Sequence, residues 1–245
     1  MDWDLTSRRR FLAGLGALGV ATVGGLTLGT APARALDQTT TDGNGLVLDW
    51  AATRNGENDT GSVTDTGSTF TYSASDLLPG DTGTLTVEMS LTEETADSIP
   101  RFAFDLTSTK ENDLTDPERE AGDDTPDEGE LQDYLDAKIF YDTGTLGVDI
   151  WGATNGEQDV GEGLIDPDAE GTLEEVANAL PGTGPEGIRL DAEPTTPGDD
   201  LLTSDNSVAI TFGWAFAGRS NVDVTQSDAV GFDLLFHTET PGEGE

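Results

Sequence analysis

Val208-Ala209-Ile210-Thr211-Phe212-Gly213-Trp214-Ala215-Phe216 is the stretch that decides the fold class. Val208, Ile210, Phe212, Trp214 and Phe216 are large and apolar. They alternate without a break with Ala209, Thr211, Gly213 and Ala215. A period of two puts all the large side chains on one face of an extended strand. After a polar loop, Val230, Phe232, Leu234 and Phe236 alternate in the same way. Two long strands joined by a loop of about a dozen residues allow either a crossover between sheets or an open hairpin.

Upstream, Leu85, Val87, Met89 and Leu91 alternate with Thr86, Glu88 and Ser90, and Phe102, Phe104 and Leu106 follow the same rule. Phe70 and Tyr72 mark a shorter strand. Leu78-Pro79-Gly80-Asp81 reads as a turn, because Pro presets φ and Gly accepts positive φ. Ala137–Tyr141, Leu146–Trp151 and Ile188–Leu190 are further strand segments. Helical signals are few. Asp116-Pro117-Glu118 suits a helix start with Pro at the first position. Leu131, Tyr134 and Leu135 have helical spacing, and Thr172-Leu173-Glu174-Glu175 is a capping box stopped by Pro181-Gly182. Many short strands, two or three short helices and no βαβ rhythm predict an all-β sandwich.

The N-terminal segment 36–60 reads as a polar, flexible lead from Leu36 to Gly45, a strand over Leu46–Trp50, and a loop. The sandwich proper is then expected over residues 61–238, with an acidic tail over 239–245. Trp50-Ala51-Ala52-Thr53-Arg54-Asn55-Gly56-Glu57 is echoed by Trp151-Gly152-Ala153-Thr154-Asn155-Gly156-Glu157, which implies two similar units of strand plus Asn-Gly turn. Asn58-Asp59-Thr60 is a glycosylation sequon.

The chain begins with Ser7-Arg8-Arg9-Arg10-Phe11-Leu12, a twin-arginine export motif resting on Arg8 and Arg9. A Gly- and Ala-rich apolar stretch follows to Leu28. Ala33-Arg34-Ala35 is a small-x-small site at which a signal peptidase could cut, with Ala33 and Ala35 as the recognised residues. The expectation is a signal peptide over 1–35 and a protein delivered, already folded, outside the membrane. The competing reading is an anchor, for which the six glycines from Gly14 to Gly29 make this region a weak spanner.

Composition sets the environment. The chain has 49 acidic and 11 basic residues, for a net charge of -38. Loss of residues 1–35 would remove four arginines against two aspartates and leave the remainder more acidic still. Such a charge repels itself at ordinary ionic strength. At molar salt the Debye length shrinks to about 3 Å and the repulsion is screened. This is the composition of a halophile's acidic protein. It argues against nucleic acid and anionic membranes as partners. Cysteine is absent, so no disulfide staples the fold.

No catalytic constellation emerges from the residue types. His237 is the sole histidine, which leaves zinc chemistry without its usual ligands and a Ser-His-Asp triad with one choice at a strand end. A G-x-S-x-G elbow, a P-loop and a dinucleotide fingerprint are all missing. No cofactor is expected. Calcium is the ion that the carboxylates would suit, through Asp116, Glu118, Asp123 and Asp124 or through the two Asn-Gly turns.

The order of several segments resembles the TasA/camelysin family of secreted fibre-forming proteins, known in archaea as bundling-pilus subunits. The likeness is carried by Asp42-Gly43-Asn44-Gly45-Leu46-Val47-Leu48, Asp76-Leu77-Leu78-Pro79-Gly80-Asp81 and Glu111–Glu118. It continues through the acidic insertion to Gly129-Glu130-Leu131, then Ile139-Phe140-Tyr141-Asp142, and closes over Ile210–Phe236. The twin-arginine signal and the forms Ser220-Asn221 and Gln226-Ser227-Asp228 depart from the family's usual patterns.

The resemblance implies a jelly-roll sandwich that polymerises with copies of itself, and with related matrix subunits, at the cell surface, and the missing catalytic constellation fits a protein that is not an enzyme. It also implies that a strand at the mature N-terminus is donated to the neighbouring subunit. Here that strand is Leu36–Trp50, with Leu46, Leu48 and Trp50 as the pocket-filling side chains. The competing reading pairs Leu46–Trp50 within its own subunit. A secreted metalloprotease-like protein and a monomeric surface or glycan-binding module are the alternative functions.

Overall fold

A computed structural model describes residues 36–143, 154–159, 161–182, 187–194 and 201–242. In chain order the strands are β1 (Gln38–Thr41), β2 (Leu46–Arg54), β3 (Glu57–Asn58), β4 (Val63–Asp65), β5 (Thr69–Ser75), β6 (Thr82–Leu91) and β7 (Ile99–Lys110). Two short helices follow, α1 (Asp116–Ala121) and α2 (Leu131–Tyr134). Then come β8 (Leu135–Tyr141), β9 (Glu170–Thr172), α3 (Leu173–Ala179), β10 (Ile188–Arg189), β11 (Ser207–Phe216) and β12 (Ala229–Glu239).

The stretch from Val208 to Phe216 lies in the interior of the larger sheet, whose order is β1-β2-β6-β11-β8-β9, with β3 on β2. Every pairing in this sheet is antiparallel. Phe212 sits opposite Leu85 on one side and Ile139 on the other. The second sheet runs β10-β7-β12-β5-β4, also antiparallel. β11 and β12 therefore belong to different sheets, and the polar loop between them is a crossover rather than a hairpin. The architecture is an all-β sandwich with a few short helices, as the alternation requires.

The core forms where the two inner faces meet. Phe232 of the second sheet stacks on Tyr72 at 5.0 Å between ring centroids and meets Phe212 of the first sheet at 4.7 Å. Phe104 packs on both Phe212 and Phe232, at 5.6 Å. Trp50 closes one end edge-on against Phe70 at 5.5 Å. Gly83 is required by a close approach, since a Cβ there would lie 2.4 Å from the indole of Trp214.

Several expectations are corrected. Leu36–Gly45 is not a flexible lead, because Gln38–Thr41 is an edge strand paired with β2. Its consecutive threonines favour extended backbone, and an edge strand facing solvent shows no apolar alternation. The Oδ1 of Asp42 accepts from the N–H groups of Asn44 and Leu46 and sets the turn into β2. The sandwich accordingly includes β1 and β2, so the division at residue 60 marks no structural boundary. It also runs one residue further than expected, to Glu239. Leu135 ends the helical spacing and starts β8.

The capping box at Thr172–Glu175 forms as expected, whereas the first helix is capped one residue earlier than expected, by a Thr115–Glu118 box that makes Pro117 its second residue. Residues 1–35, expected to be a signal peptide with Arg8, Arg9, Ala33 and Ala35, lie outside the described residues. So do the strand expected from Leu146 to Trp151 and the end of the tail over 243–245. Among the described residues no helix is long and apolar enough to cross a membrane.

Candidate functional site

The residues expected to act as a donor strand lie inside their own chain's sheet. Leu46, Leu48 and Trp50 alternate inward on β2 and are buried in the core, exposed by at most 4%. β2 pairs with β6 along its whole length, from Leu46 opposite Leu91 to Arg54 opposite Gly83. Only the four-residue β1 lies between it and the sheet edge.

His237 sits on β12 opposite Arg101, near the end of the strand. The two Asn-Gly turns are held by carboxylates as structural units. Asp81 accepts from the side-chain nitrogens of Arg54 and Asn55. Asp142, fully buried, accepts from the N–H of Asn155 and Gly156 and from the Thr211 hydroxyl. Asp59 and Asp159 accept from Ser62 and Asn155 within their own loops. Neither loop joins a cluster of ligand-forming groups among the described residues.

A different set of carboxylates converges where the excursion between β7 and β8 folds back on the start of β12. Glu111 follows the last residue of β7. Glu118 lies on α1, Asp123 follows that helix, Glu130 precedes α2, and Asp228 precedes β12. Oxygens of Glu111, Glu118 and Asp228 lie within 4.8 Å of one another, as do oxygens of Glu111, Asp123 and Glu130. Glu111 thus joins two triads.

Local sequence chemistry places these groups. The Thr115 capping box turns Glu118 inward, where its Oε2 accepts from the Thr115 N–H. Asp123 Oδ1 accepts from the N–H of Thr125 at 2.8 Å and lies 2.7 Å from its hydroxyl, which has one proton to give. The same hydroxyl lies 2.6 Å from Glu130 Oε1. Asp228 Oδ2 accepts from the N–H groups of Glu130 and Leu131, at 2.7 and 3.1 Å. Gly129 allows this approach, since a Cβ there would sit 2.8 Å from the Asp228 carboxyl and from the Lys110 carbonyl.

Each of these four carboxylates therefore commits one oxygen to the protein. The others, Glu118 Oε1, Asp123 Oδ2, Glu130 Oε2 and Asp228 Oδ1, are shielded from solvent and have no hydrogen-bond partner, and the same is true of both Glu111 oxygens. Asp123 and Glu130 also line an open cleft with Thr125, Tyr134, Arg219 and Asn221, which connects the cluster to solvent.

The electrostatics are those of crowded acids. Burial, and then the charges of Glu111, Glu130 and Glu118, push the Asp228 carboxyl up to about 7 against the opposing hydrogen bond from Glu130. Burial also raises Glu111 and Glu130, with neighbouring acids adding to it. Asp123 is held low, chiefly by the Thr125 N–H. A carboxyl raised above its unfolded value binds its proton more tightly in the native chain. Without a cation at the cluster, the contribution of Asp228 to stability is fully present below about pH 4 and is lost as pH rises through about 7. For Asp228 the drop is on the order of 4 kcal/mol. Urea melts across this range in chelator should show a shallower fall in Asp228→Asn than in the parent chain, by the part that Asp228 contributes. An unchanged pH profile in that variant would show that Asp228 is not the group responsible.

Sequence reading found Glu118 and Asp123 and missed Glu111, Glu130 and Asp228. Asp116 is instead almost fully exposed beside Arg119, and Asp124 is exposed. The missed signal was Gln226-Ser227-Asp228, noticed as a motif but not connected to the acidic insertion about a hundred residues earlier. Comparison with protein-family models finds no match, and comparison with curated proteins finds none either.

Proposed function

We propose that this chain is a secreted structural subunit of an extracellular fibre or biofilm matrix, in which β2 of one subunit lies on β6 of the next. The observation that carries this reading is the place of β1 and β2. They are the first strands of the described residues, they stand at one end of the sheet, and they contribute Leu46, Leu48 and Trp50 to the core. Lifting them away together breaks the β2–β6 ladder and the two-residue pairing with β3, and leaves every other strand pair intact.

In a lone subunit β2 completes its own sheet, which suits a cargo that must be folded before export. In a fibre the same strand makes the same contacts with a neighbour. Such an exchange costs little in contact energy, and because the contact is heterologous it builds an open filament. The high negative charge favours assembly in strong salt, where like-charged subunits can approach. The halophile-like composition and the TasA/camelysin resemblance, with its cell-surface setting, point the same way.

The test is electron microscopy of the chain lacking residues 1–35, purified in molar KCl. Filaments are expected. Monodisperse monomers at every salt and calcium concentration would overturn the reading, and chelator-sensitive cleavage of casein would replace it with a protease.

A further inference from the structure

We propose that Glu111, Glu118, Asp123, Glu130 and Asp228 form a calcium centre that clamps the excursion between β7 and β8 onto the start of β12. This inference is independent of fibre assembly. Acidic residues are abundant in this chain, and a cluster of them on the surface would mean nothing. This one differs because Glu118 and Asp228 are at least 98% buried and each aims an oxygen into the cluster with no donor to receive it. Burying a carboxylate oxygen without a partner is strongly unfavourable unless a cation or a proton compensates. The charged neighbours that act on Glu111 and Asp228 are all themselves acids. No ion pair formed by Lys or Arg among the described residues reaches any of the five.

The geometry fits a metal ion of this class. Two oxygens bound to one calcium at about 2.3–2.6 Å can be no further apart than roughly 5 Å, and each triad falls within 4.8 Å. Each triad offers up to four oxygens without a partner, Glu111 being common to both, and waters from the cleft would complete the 6–8 ligands, roughly, that calcium takes. An all-carboxylate donor set selects a hard cation, and magnesium prefers to keep several waters and use only one or two carboxylates. The hydrogen bonds from Thr115, Thr125, Glu130 and Leu131 fix Glu118, Asp123, Glu130 and Asp228 by their other oxygens, which is the outer-shell support that a metal site needs. The cleft at Asp123 and Glu130 supplies the entry path.

The experiment is calorimetric titration of the chelated chain with CaCl2 in molar KCl, with MgCl2 at the same concentration as the comparison. Saturable calcium binding is expected. It should weaken about 100-fold in Asp228→Asn and in Glu111→Gln and stay unchanged in Asp116→Asn and Asp124→Asn. Thermal melts separate loss of the site from loss of the fold. In chelator Asp228→Asn should melt at or above the parent chain, because it removes repulsion. In calcium the parent should overtake it. No saturable binding, an equal response to magnesium, or weakening by Asp116→Asn equal to that by Asp228→Asn would overturn the proposal. Asp228→Asn melting below the parent in chelator would do the same, since it would show the cluster held by a shared proton.

Discussion

Phe232→Ala is expected to lower the unfolding free energy by about 3–5 kcal/mol, the usual cost of emptying a large aromatic site in a core that cannot collapse. Phe232 is fully buried and touches rings from both sheets: Tyr72 on its own sheet, Phe104 beside it and Phe212 across the interface. Its neighbours belong to paired strands on either side, so no local movement fills the gap. Denaturant melts in high salt measure the effect. Leu78→Ala is the control, because Leu78 is 69% exposed and should change stability by no more than about 0.5 kcal/mol. A loss at Phe232 of less than about 1 kcal/mol would contradict a core formed between the sheets.

That core was the most legible part of the sequence. The inward residues of β6, β11 and β12 follow from alternation alone, because large apolar side chains alternate with small or polar ones even where both faces are buried. The edge strands were harder to see. β1 is made of Gln38 and three threonines, β4 holds a single buried residue, Val63, and β9 has none, so they carry no apolar period to detect. Their pairing is decided by the neighbouring strand rather than by their own residues. The acidic cluster was half legible for a related reason. Composition places carboxylates in the insertion but does not say which of them turn inward. The capping box selects Glu118 over Asp116, and the Thr125 turn selects Asp123 over Asp124. Asp228 joins them only through the crossover from β11 to β12, which no local pattern announces.

Removal of residues 36–54 has the second large expected effect. It strips Leu46, Leu48 and Trp50 from the core and uncovers the edge of β6 with the apolar faces of Leu85, Val87 and Met89. Each large side chain lost withdraws about 1.5–3 kcal/mol of burial, and the β2–β6 hydrogen bonds go with them. Against a typical domain stability of about 5–15 kcal/mol, this should leave the remaining chain unable to hold the sandwich as a monomer. A synthetic peptide of residues 36–54 added in trans should restore cooperative unfolding, because the groove and the strand are complementary without the covalent link. A truncated chain that melts like the parent would show that β2 is dispensable and would remove the structural basis for strand exchange.

The account's central claim is that β2 of one subunit occupies β6 of the next, and cross-linking tests it most directly. Asp49 and Glu88 face each other across β2 and β6 on the partly exposed side of the sheet, and the chain has no cysteine of its own. Chains carrying only Asp49→Cys and chains carrying only Glu88→Cys are mixed, assembled in molar KCl and treated with a short bis-maleimide. Strand exchange predicts covalent Asp49→Cys to Glu88→Cys dimers in the assembled fraction, and longer ladders when both substitutions are in every chain. If the double variant joins only within single chains and the mixed variants stay monomeric although filaments are present, β2 remains at home and the claim is wrong.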